Sequence, residues 1–422
     1  MVVGMLFPAG AGAAETPAAA PVLPEALVAE AVERNPELGF YQAELTAARA
    51  DRRVAGRWAP PEAETEIGRK AVRDNGLTRE GMAWSVSLRQ PIEWPGRLGL
   101  RKAIANGDVA LAELGLERFR MAVRHQVRGL ALELAVAQER SEAARAVATR
   151  LQELREVLVA RDPAGLTPLL ETRIIEASAV KAEHAASQAA REMEHLVLEL
   201  NYLRGQPPAT PLRIAPIEPR FAEAPPLEAL LAAAATNNFD LRVRVAELEQ
   251  QGFQVALARH ERLPAFTIGP FFSEERAGDR ERIGGVSLSA PLPLWQGNRA
   301  RRESAEARRT QAESALESAR RQLQRDLADA AQSYRRAVAT IAQWRPDSIN
   351  HFREAAELAD RHYRLGAVPV GTYVELQRQY VEAVESLLEA RKEALESGQR
   401  LQALSGVSLD LTLPGRRNAP TP

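Results

Sequence analysis

The chain repeats itself once, at an offset of 200 to 204 residues. Ala31-Val-Glu-Arg-Asn-Pro-Glu-Leu38 returns as Ala234-Ala-Thr-Asn-Asn-Phe-Asp-Leu241, and Val86-Ser-Leu-Arg-Gln-Pro-Ile92 returns as Val286-Ser-Leu-Ser-Ala-Pro-Leu292. Trp94 and Gly96 follow the first of these strings, Trp295 and Gly297 the second. Ala164-Gly-Leu-Thr-Pro-Leu-Leu-Glu171 has a looser echo in Val368-Pro-Val-Gly-Thr-Tyr-Val-Glu375, and the halves close on Tyr202-Leu-Arg-Gly205 and Ala403-Leu-Ser-Gly406. An offset this long excludes a solenoid of short units and points to an ancient duplication. The expected layout is a leader over 1–23, a first repeat over 24–205, a second over 227–406 and a flexible tail over 407–422. Between the repeats, the Pro-rich 206–226 reads as a stiff, extended strap.

Each half has the same internal order. A helix of about 35 residues is expected first, over Pro24–Gly56 and again over Pro226–Arg262. Two short alternating segments follow. A very long Ala/Leu/Arg/Glu pattern then runs from Gly96 to Arg161, or from Gly297 to Leu365, and a second helix returns over Leu166–Leu203 or Val370–Leu404. Leu316, Leu323, Leu327, Tyr334, Val338 and Ile341 step by sevens, fours and a three, the stripe of a packed helix. About 65 residues of helix would reach ~100 Å. Pro346 should interrupt the second long helix, because its ring removes a donor and collides with the preceding turn.

The alternating segments have no place in a plain coiled coil. Met82, Trp84, Val86 and Leu88 alternate with Ala83, Ser85, Ser87 and Arg89, while Phe266, Ile268, Pro270 and Phe272 alternate with small residues. Val286, Leu288 and Ala290 repeat the pattern, and Ala63, Thr65 and Ile67 alternate weakly with Glu62, Glu64 and Glu66. Period two with one apolar face marks a strand that is wet on the other side. Segments of about nine to eleven residues suit tilted membrane strands. Trp58, Trp94 and Trp295 stand where strand meets helix, as an aromatic girdle at a membrane interface would. Two soluble hairpins capping a coiled coil give the same pattern. Four strands cannot close, and open edges are not viable in lipid; three copies would supply twelve strands, an even number in the range of known barrels.

Composition narrows the function. The 55 Lys and Arg balance 56 Asp and Glu, which leaves no basic footprint for nucleic acid. The absence of Cys excludes disulfides, thiolate metal sites, thiol nucleophiles and an N-terminal lipid anchor. No run of 18 apolar residues offers a helical span. Met1–Ala14 resembles the latter part of a secretory signal ending in small residues, so export is expected.

Four stretches carry a family resemblance: Glu33-Arg-Asn-Pro-Glu-Leu38, Val86–Arg97, Val286–Gly297, and Tyr363–Gly371 running into Glu375-Leu-Gln-Arg378. Together, in this order, they resemble the TolC family of outer-membrane efflux proteins over Pro24–Gly406. Gln90-Pro-Ile-Glu-Trp-Pro-Gly-Arg97, and Trp344-Arg-Pro346 leading to Tyr363-x-x-Gly366, are similar to the heavy-metal branch of that family. The resemblance implies a mainly α chain with a membrane β-barrel part. It implies a homotrimer whose twelve-stranded barrel, set in outer-membrane lipid, continues into a periplasmic helical tunnel. It further implies a passive duct for a periplasmic adaptor and an inner-membrane transporter, with heavy-metal cations as the leading cargo. The chain departs from the family in having Asn238-Phe239 where Asn-Pro is usual, and in a first tip, Arg161–Thr167, that lacks the aromatic-x-x-Gly lead-in.

In a duct, the informative residues lie at tips and constrictions. The implied adaptor-docking tips hold Asp162, Gly165 and Leu166 in the first half and Leu365, Gly366, Val370 and Gly371 in the second. Their glycines are suited to a reversal. Glu62, Glu64 and Glu66 share one strand face and are candidates for the barrel lumen, where carboxylate rings select cations. Trp58, Trp94 and Trp295 form the expected girdle.

Enzyme readings find no support: no nucleotide loop, dinucleotide fingerprint, zinc-protease or nucleophile-elbow motif occurs. Glu192-Met-Glu-His195 holds a single Glu-x-x-His, where a di-metal bundle needs two with two further Glu. His351 and His362 read as solvated helix residues. No cofactor is expected. Outside the efflux reading, the alternative is a non-membrane coiled-coil scaffold with two β-hairpins.

Overall fold

The computed structural model of the chain describes residues 20–74, 76–161, 169–262, 265–291, 298–345, 348–409 and 411–414. It is mostly helical, about 70%, with a small antiparallel sheet. The first half runs α1 (Pro24–Arg34), α2 (Leu38–Ala55), β1 (Glu62–Asp74), β2 (Leu77–Ile92), α3 (Arg97–Arg161) and α4 (Leu169–Leu203). After the short β3 (Ile217–Pro219), the second half runs α5 (Leu227–Asn237), α6 (Phe239–His260), β4 (Phe266–Ala277), β5 (Asp279–Ser289), α7 (Arg299–Ala342), α8 (Ser348–Arg364) and α9 (Val370–Ser405), and β6 (Thr412–Pro414) ends the described chain. At 1.5 Å per residue, the 65-residue α3 extends ~98 Å.

The first helix expected in each half is in fact two helices, broken at the same repeat position. Pro36 forbids continuous helix in the first half and drives Asn35 to an extended backbone, φ −57° and ψ 126°. No proline follows Asn238, yet the break recurs there, with φ −69° and ψ 120°. The common agent is the asparagine. Asn35 Oδ1 accepts from the Glu37 amide at 2.9 Å, and Asn238 Oδ1 caps α6 by accepting from the Leu241 amide at 3.1 Å. The other side of each amide group reaches to the end of that half's return helix. Asn35 Nδ2 donates to the Leu203 carbonyl at 3.2 Å, and Asn238 Nδ2 to the Leu404 carbonyl at 3.1 Å. Both asparagines are buried. Gly205 and Gly406 turn the chain just beyond with φ of +64° and +69°. A Cβ at Gly205 would stand 2.9 Å from the Arg34 carbonyl oxygen, and one at Gly406 2.5 Å from Asn237 Cβ. One lock thus occurs twice.

The second long helix is interrupted as expected: α7 stops at Ala342 and α8 begins at Ser348, on either side of Pro346. The stripe on α7 buries Leu316, Leu323, Leu327 and Tyr334, with Ala330, Ala331 and Ala337 between them. Its opposite face is held in water by Arg299–Glu303, Arg309–Glu313 and Arg321–Glu317 pairs one turn apart, each worth about 0.3–0.5 kcal/mol.

Three large apolar cores, and a small alanine cluster around Ala144, Ala148 and Ala186, share the length of the bundle among the described residues. Leu27, Val127, Leu134 and Leu200 join α1, α3 and α4; Leu230, Leu327, Tyr334 and Leu401 join α5, α7 and α9. Ile175, Ala356, Tyr373 and Leu388 fill the core nearest the α8–α9 turn.

Parts of the expected leader and tail are packed. Val22 bridges Ile214, and β6 pairs antiparallel with β3. Leu409 and Leu411 are buried in the second core, so the tail is not uniformly free of structure; its apolar side chains have a core to enter. Three of the four strands are also longer than the expected nine to eleven residues. The four run to 13, 16, 12 and 11, because cross-strand pairing continues through charged residues beyond the apolar alternation.

Candidate functional site

The sheet orders its strands β1-β2-β4-β5, all antiparallel, so the two hairpins join through β2 and β4. Its outer strands, β1 and β5, each leave one edge without a partner strand among the described residues. Asp74 pairs with Leu77 across a two-residue reversal containing Gly76, φ +84°, and Ala277 pairs with Asp279 around Gly278, φ +102°. The dipeptide Asn75-Gly76 is the sequence signal that could have found the first reversal, although Asn75 itself lies outside the described residues.

Residues directly opposite one another share a face. Ile67 lies across from Trp84, Val86 from both Thr65 and Phe272, and Ile268 from Leu288. Ile67, Val86, Leu88, Ile268, Phe272, Val286 and Leu288 are therefore one apolar face, and all of them are exposed. A contiguous exposed apolar surface of this kind marks a membrane or partner contact. The opposite face is mainly polar, although Val72, Phe271 and Ile283 also lie on it. Glu62, Glu64 and Glu66 lie across from Arg89, Ser87 and Ser85. Ser85 donates to Glu66 at 3.2 Å, Arg89 is ion-paired to Glu64, and Lys70 bridges Glu275 at 2.7 Å and Glu281 at 2.8 Å. The three glutamates do share a face, but Glu64 has its own counter-ion.

Aromatic rings mark both ends of the apolar face. Trp94, between β2 and α3, meets Phe266 edge-on with centroids 6.1 Å apart. Trp58, between α2 and β1, is 57% exposed, and Trp295 lies outside the described residues. Towards the hairpin tips, Trp84 meets Phe272 at 5.5 Å. Trp84 was visible in the sequence as part of the apolar alternation; its position at the far end of that face became visible only with the register.

The Gln90–Arg97 stretch works as a joint between sheet and helices. Gln90 donates to the Ala59 carbonyl at 2.9 Å, and Glu93 pairs with Arg101 at 2.7 Å. Gly96 takes φ +96°, and the Arg97 guanidinium donates to the His260 carbonyl at 3.1 Å. His260 ends α6, where unpaired carbonyls attract cations. The first half thereby grips the second.

At the opposite end of the bundle, Leu365 is 81% exposed, Gly366 has φ +73° with open space around it, and Pro369 N-caps α9. Val370 is buried in the nearest core, whereas Gly371 faces open space. Asp162, Gly165 and Leu166 lie outside the described residues, but Leu169 and Leu170, at the start of α4, are largely exposed. Behind this apolar tip, Tyr363 stacks on buried Tyr373 at 5.1 Å. Burial pushes the Tyr373 phenol well up, with the Asp360 carboxylate acting in the same direction. Arg364 pairs with Asp360 at 2.9 Å and with Glu153 of α3 at 3.5 Å, which ties the interrupted helix back to the continuous one.

Among the described residues, no group of His, Asp and Glu is arranged to hold a metal ion. The Glu192–His195 motif leads to no such group: Glu192 instead pairs with Arg140 at 3.1 Å. No helix among the described residues is long and apolar enough to cross a membrane.

Two hairpins, one per repeat, paired side by side and mounted on a long helical bundle define a recognisable class. Residues 230–407 match the family described as outer membrane efflux protein. The fold as a whole is that of solved outer-membrane channels of the TolC family, the architecture that the sequence resemblance implied. A membrane protein from Pseudomonas aeruginosa superposes with a TM-score of 0.75 at 19% identity, over 93% of this chain and 92% of that one. The Campylobacter jejuni outer membrane channel CmeC gives 0.73 at 13% identity, over 96% and 93%. CusC gives 0.70 at 15% identity, over 90% and 92%. No curated protein matches the sequence.

Proposed function

We propose that the chain is the outer-membrane exit duct of a tripartite efflux system in a Gram-negative cell. The observation that carries this reading is the sheet: four strands, apolar and exposed on one face, mainly polar on the other, with two open edges. Lipid tolerates no open edge. Three copies, edge to edge, close twelve strands around the polar face and gather the helices into a tube below. A heat-modifiable, SDS-resistant trimer in the outer-membrane fraction is the expected result. A monomeric or dimeric species in the soluble fraction would sink the reading in favour of a scaffold.

The duct performs no chemistry, so its activity is set by docking and by the electrostatics of its wall. The exposed turn around Leu365, Gly366 and Gly371, with Val370 anchoring it, is the surface offered to a periplasmic adaptor, joined by the first tip at Asp162, Gly165 and Leu166. Gly366→Trp should lower efflux by about tenfold or more: the left-handed backbone favours glycine there and the indole would cover the exposed turn, while the open space around Gly366 leaves the trimer level unchanged. Normal efflux from that variant would dismiss the docking role.

Metal cations are the cargo favoured by the wall. Glu62, Glu64, Glu66, Glu275 and Glu281 outnumber Lys70, Arg79 and Arg89 on the polar face, and the Gln90–Arg97 joint resembles the heavy-metal branch. Changing Glu62, Glu64 and Glu66 to Gln should reduce cation preference in single-channel recordings, most of all at low salt, where screening is weakest. Unaltered reversal potentials would remove these glutamates from selectivity.

A further inference from the structure

The apolar face of the sheet does not end in neutral residues. Two positions beyond Phe272, on the same face of β4, stands Glu274, opposite Trp84 on β2 and Arg282 on β5. Its carboxylate is only 5% exposed and receives three guanidinium groups. Arg276 binds Oε1 at 2.8 Å, Arg280 binds Oε2 at 2.6 Å, and Arg282 binds Oε2 at 3.0 Å. Arg276 and Arg280 are themselves cross-strand partners, so all four residues occupy one face beside the β4–β5 turn. Arg69, opposite Met82, continues the same face on β1.

One carboxylate cannot satisfy three arginines. Each guanidinium has five donors in a planar fork. Glu274 engages only the inner edge of each, and the side chains remain 60%, 49% and 54% exposed. The knot keeps a surplus positive charge and unused donors, rigidly spaced, on a face that is apolar only one pair of residues away. Pre-organised forks of this kind match tetrahedral phosphate oxygens. Apolar side chains directly adjoining them match acyl chains.

We propose that Arg276, Arg280 and Arg282, held by Glu274, form a site on each copy for the phosphate of an outer-leaflet glycolipid of the lipid A type. The site rests on the channel reading, which turns this face towards lipid and puts the hairpin tips at the outer surface. Its acyl chains lie along Phe272, Trp84 and Val86, while its phosphate occupies the outward side of the arginine fork.

The test uses the full-length trimer in neutral detergent, titrated with lipid A, dephosphorylated lipid A and inorganic phosphate, with bound lipid counted by native mass spectrometry. Removing the arginines alone would strand a buried carboxylate, so the deciding variant changes all four: Glu274→Gln, Arg276→Gln, Arg280→Gln and Arg282→Gln. Charge-assisted contacts of this number predict binding weaker by roughly a hundredfold or more, both for that variant and for dephosphorylated lipid on the wild type. Glu274→Gln alone should bind more weakly than wild type, because the arginines lose the carboxylate that sets their spacing; binding as tight as wild type would overturn the role given to Glu274. Equal binding by the fourfold variant, equal binding of dephosphorylated lipid, or displacement of lipid A by equimolar inorganic phosphate each overturns the proposal. Flotation of the wild type with outer-membrane vesicles is measured separately. A chain that floats but ignores the phosphate defeats only this site, whereas a chain that does not float defeats the channel reading and the site with it.

Discussion

Gly269→Ala should split the sheet along its middle while leaving the helices folded. Gly269 lies on β4 where the backbone of β2 passes close, and a Cβ there would overlap the Leu88 carbonyl oxygen. The obstacle is backbone on both sides, so no side chain moves aside to admit the methyl group. Gly81 has the same relation to the Arg276 carbonyl, towards the far end of the same seam. Glycine within a strand often marks close backbone approach. Overpacking at a site without slack costs about 1–3 kcal/mol or more, and here it falls on the only pairing that joins the two hairpins. The expected result is loss of the SDS-resistant oligomer with helical circular dichroism retained. Gly68→Ala is the control, because a Cβ on that β1 residue meets nothing within 4 Å. A Gly269→Ala chain that assembles like Gly68→Ala would show that the seam is looser than drawn.

The second large effect is expected at the asparagine locks. Asn35→Ala removes the donor to the Leu203 carbonyl and the acceptor for the Glu37 amide, and Asn238→Ala does the same for Leu404 and Leu241. Buried groups left without partners cost about 1–3 kcal/mol each, so each change should destabilise by about 2–4 kcal/mol. The two sites lie in separate cores, and their losses should add in thermal or denaturant unfolding. Asn35→Asp separates the two contributions, since it keeps the acceptor and loses the donor to Leu203. Wild-type stability in both alanine variants would mean that Pro36 and the chain ends alone set the helix breaks.

These locks also show how much could be read in advance. The Asn-Pro and Asn-Phe strings were visible as repeats of each other, but their role was not. A continuous apolar periodicity runs through Asn35 and Asn238, and only the distant carbonyls of Leu203 and Leu404 explain why the helix stops there. The long helices α3, α7 and α9 were legible because heptad-like spacing is local, and Pro346 announced its own interruption. Strand existence was legible for the same reason, from Trp84 to Leu88 and from Phe266 to Phe272. Strand ends were not. Glu274, Arg276, Arg280 and Arg282 alternate as regularly as any apolar run, but hydropathy registers Ser273–Arg282 as one charged loop. Only pairing across β4 and β5 separates the residues gathered around Glu274 from those facing Lys70. At the tips, Gly366 does sit at the reversal between α8 and α9, whereas Gly371 lies inside α9 and takes no left-handed backbone; exposed Leu169 and Leu170 gave no signal, since one more leucine on an Ala/Leu-rich helix is unremarkable.

The seam between β2 and β4 has a consequence for how such a ring comes together. Within one copy, three strand pairings are already internal, and only the two outer edges wait for neighbours. Were each repeat a separate polypeptide, the ring would take six molecules, and the β2–β4 pairing would become a bimolecular event. Each such event carries an association cost of about 4–15 kcal/mol. In the proposed ring of three, joining the repeats in one polypeptide makes each β2–β4 encounter intramolecular, through the covalent tether at 206–226 and the Arg97 grip on His260. The duplication therefore bears on dilution as much as on shape: a three-body ring can persist at concentrations where a six-body ring would fall apart.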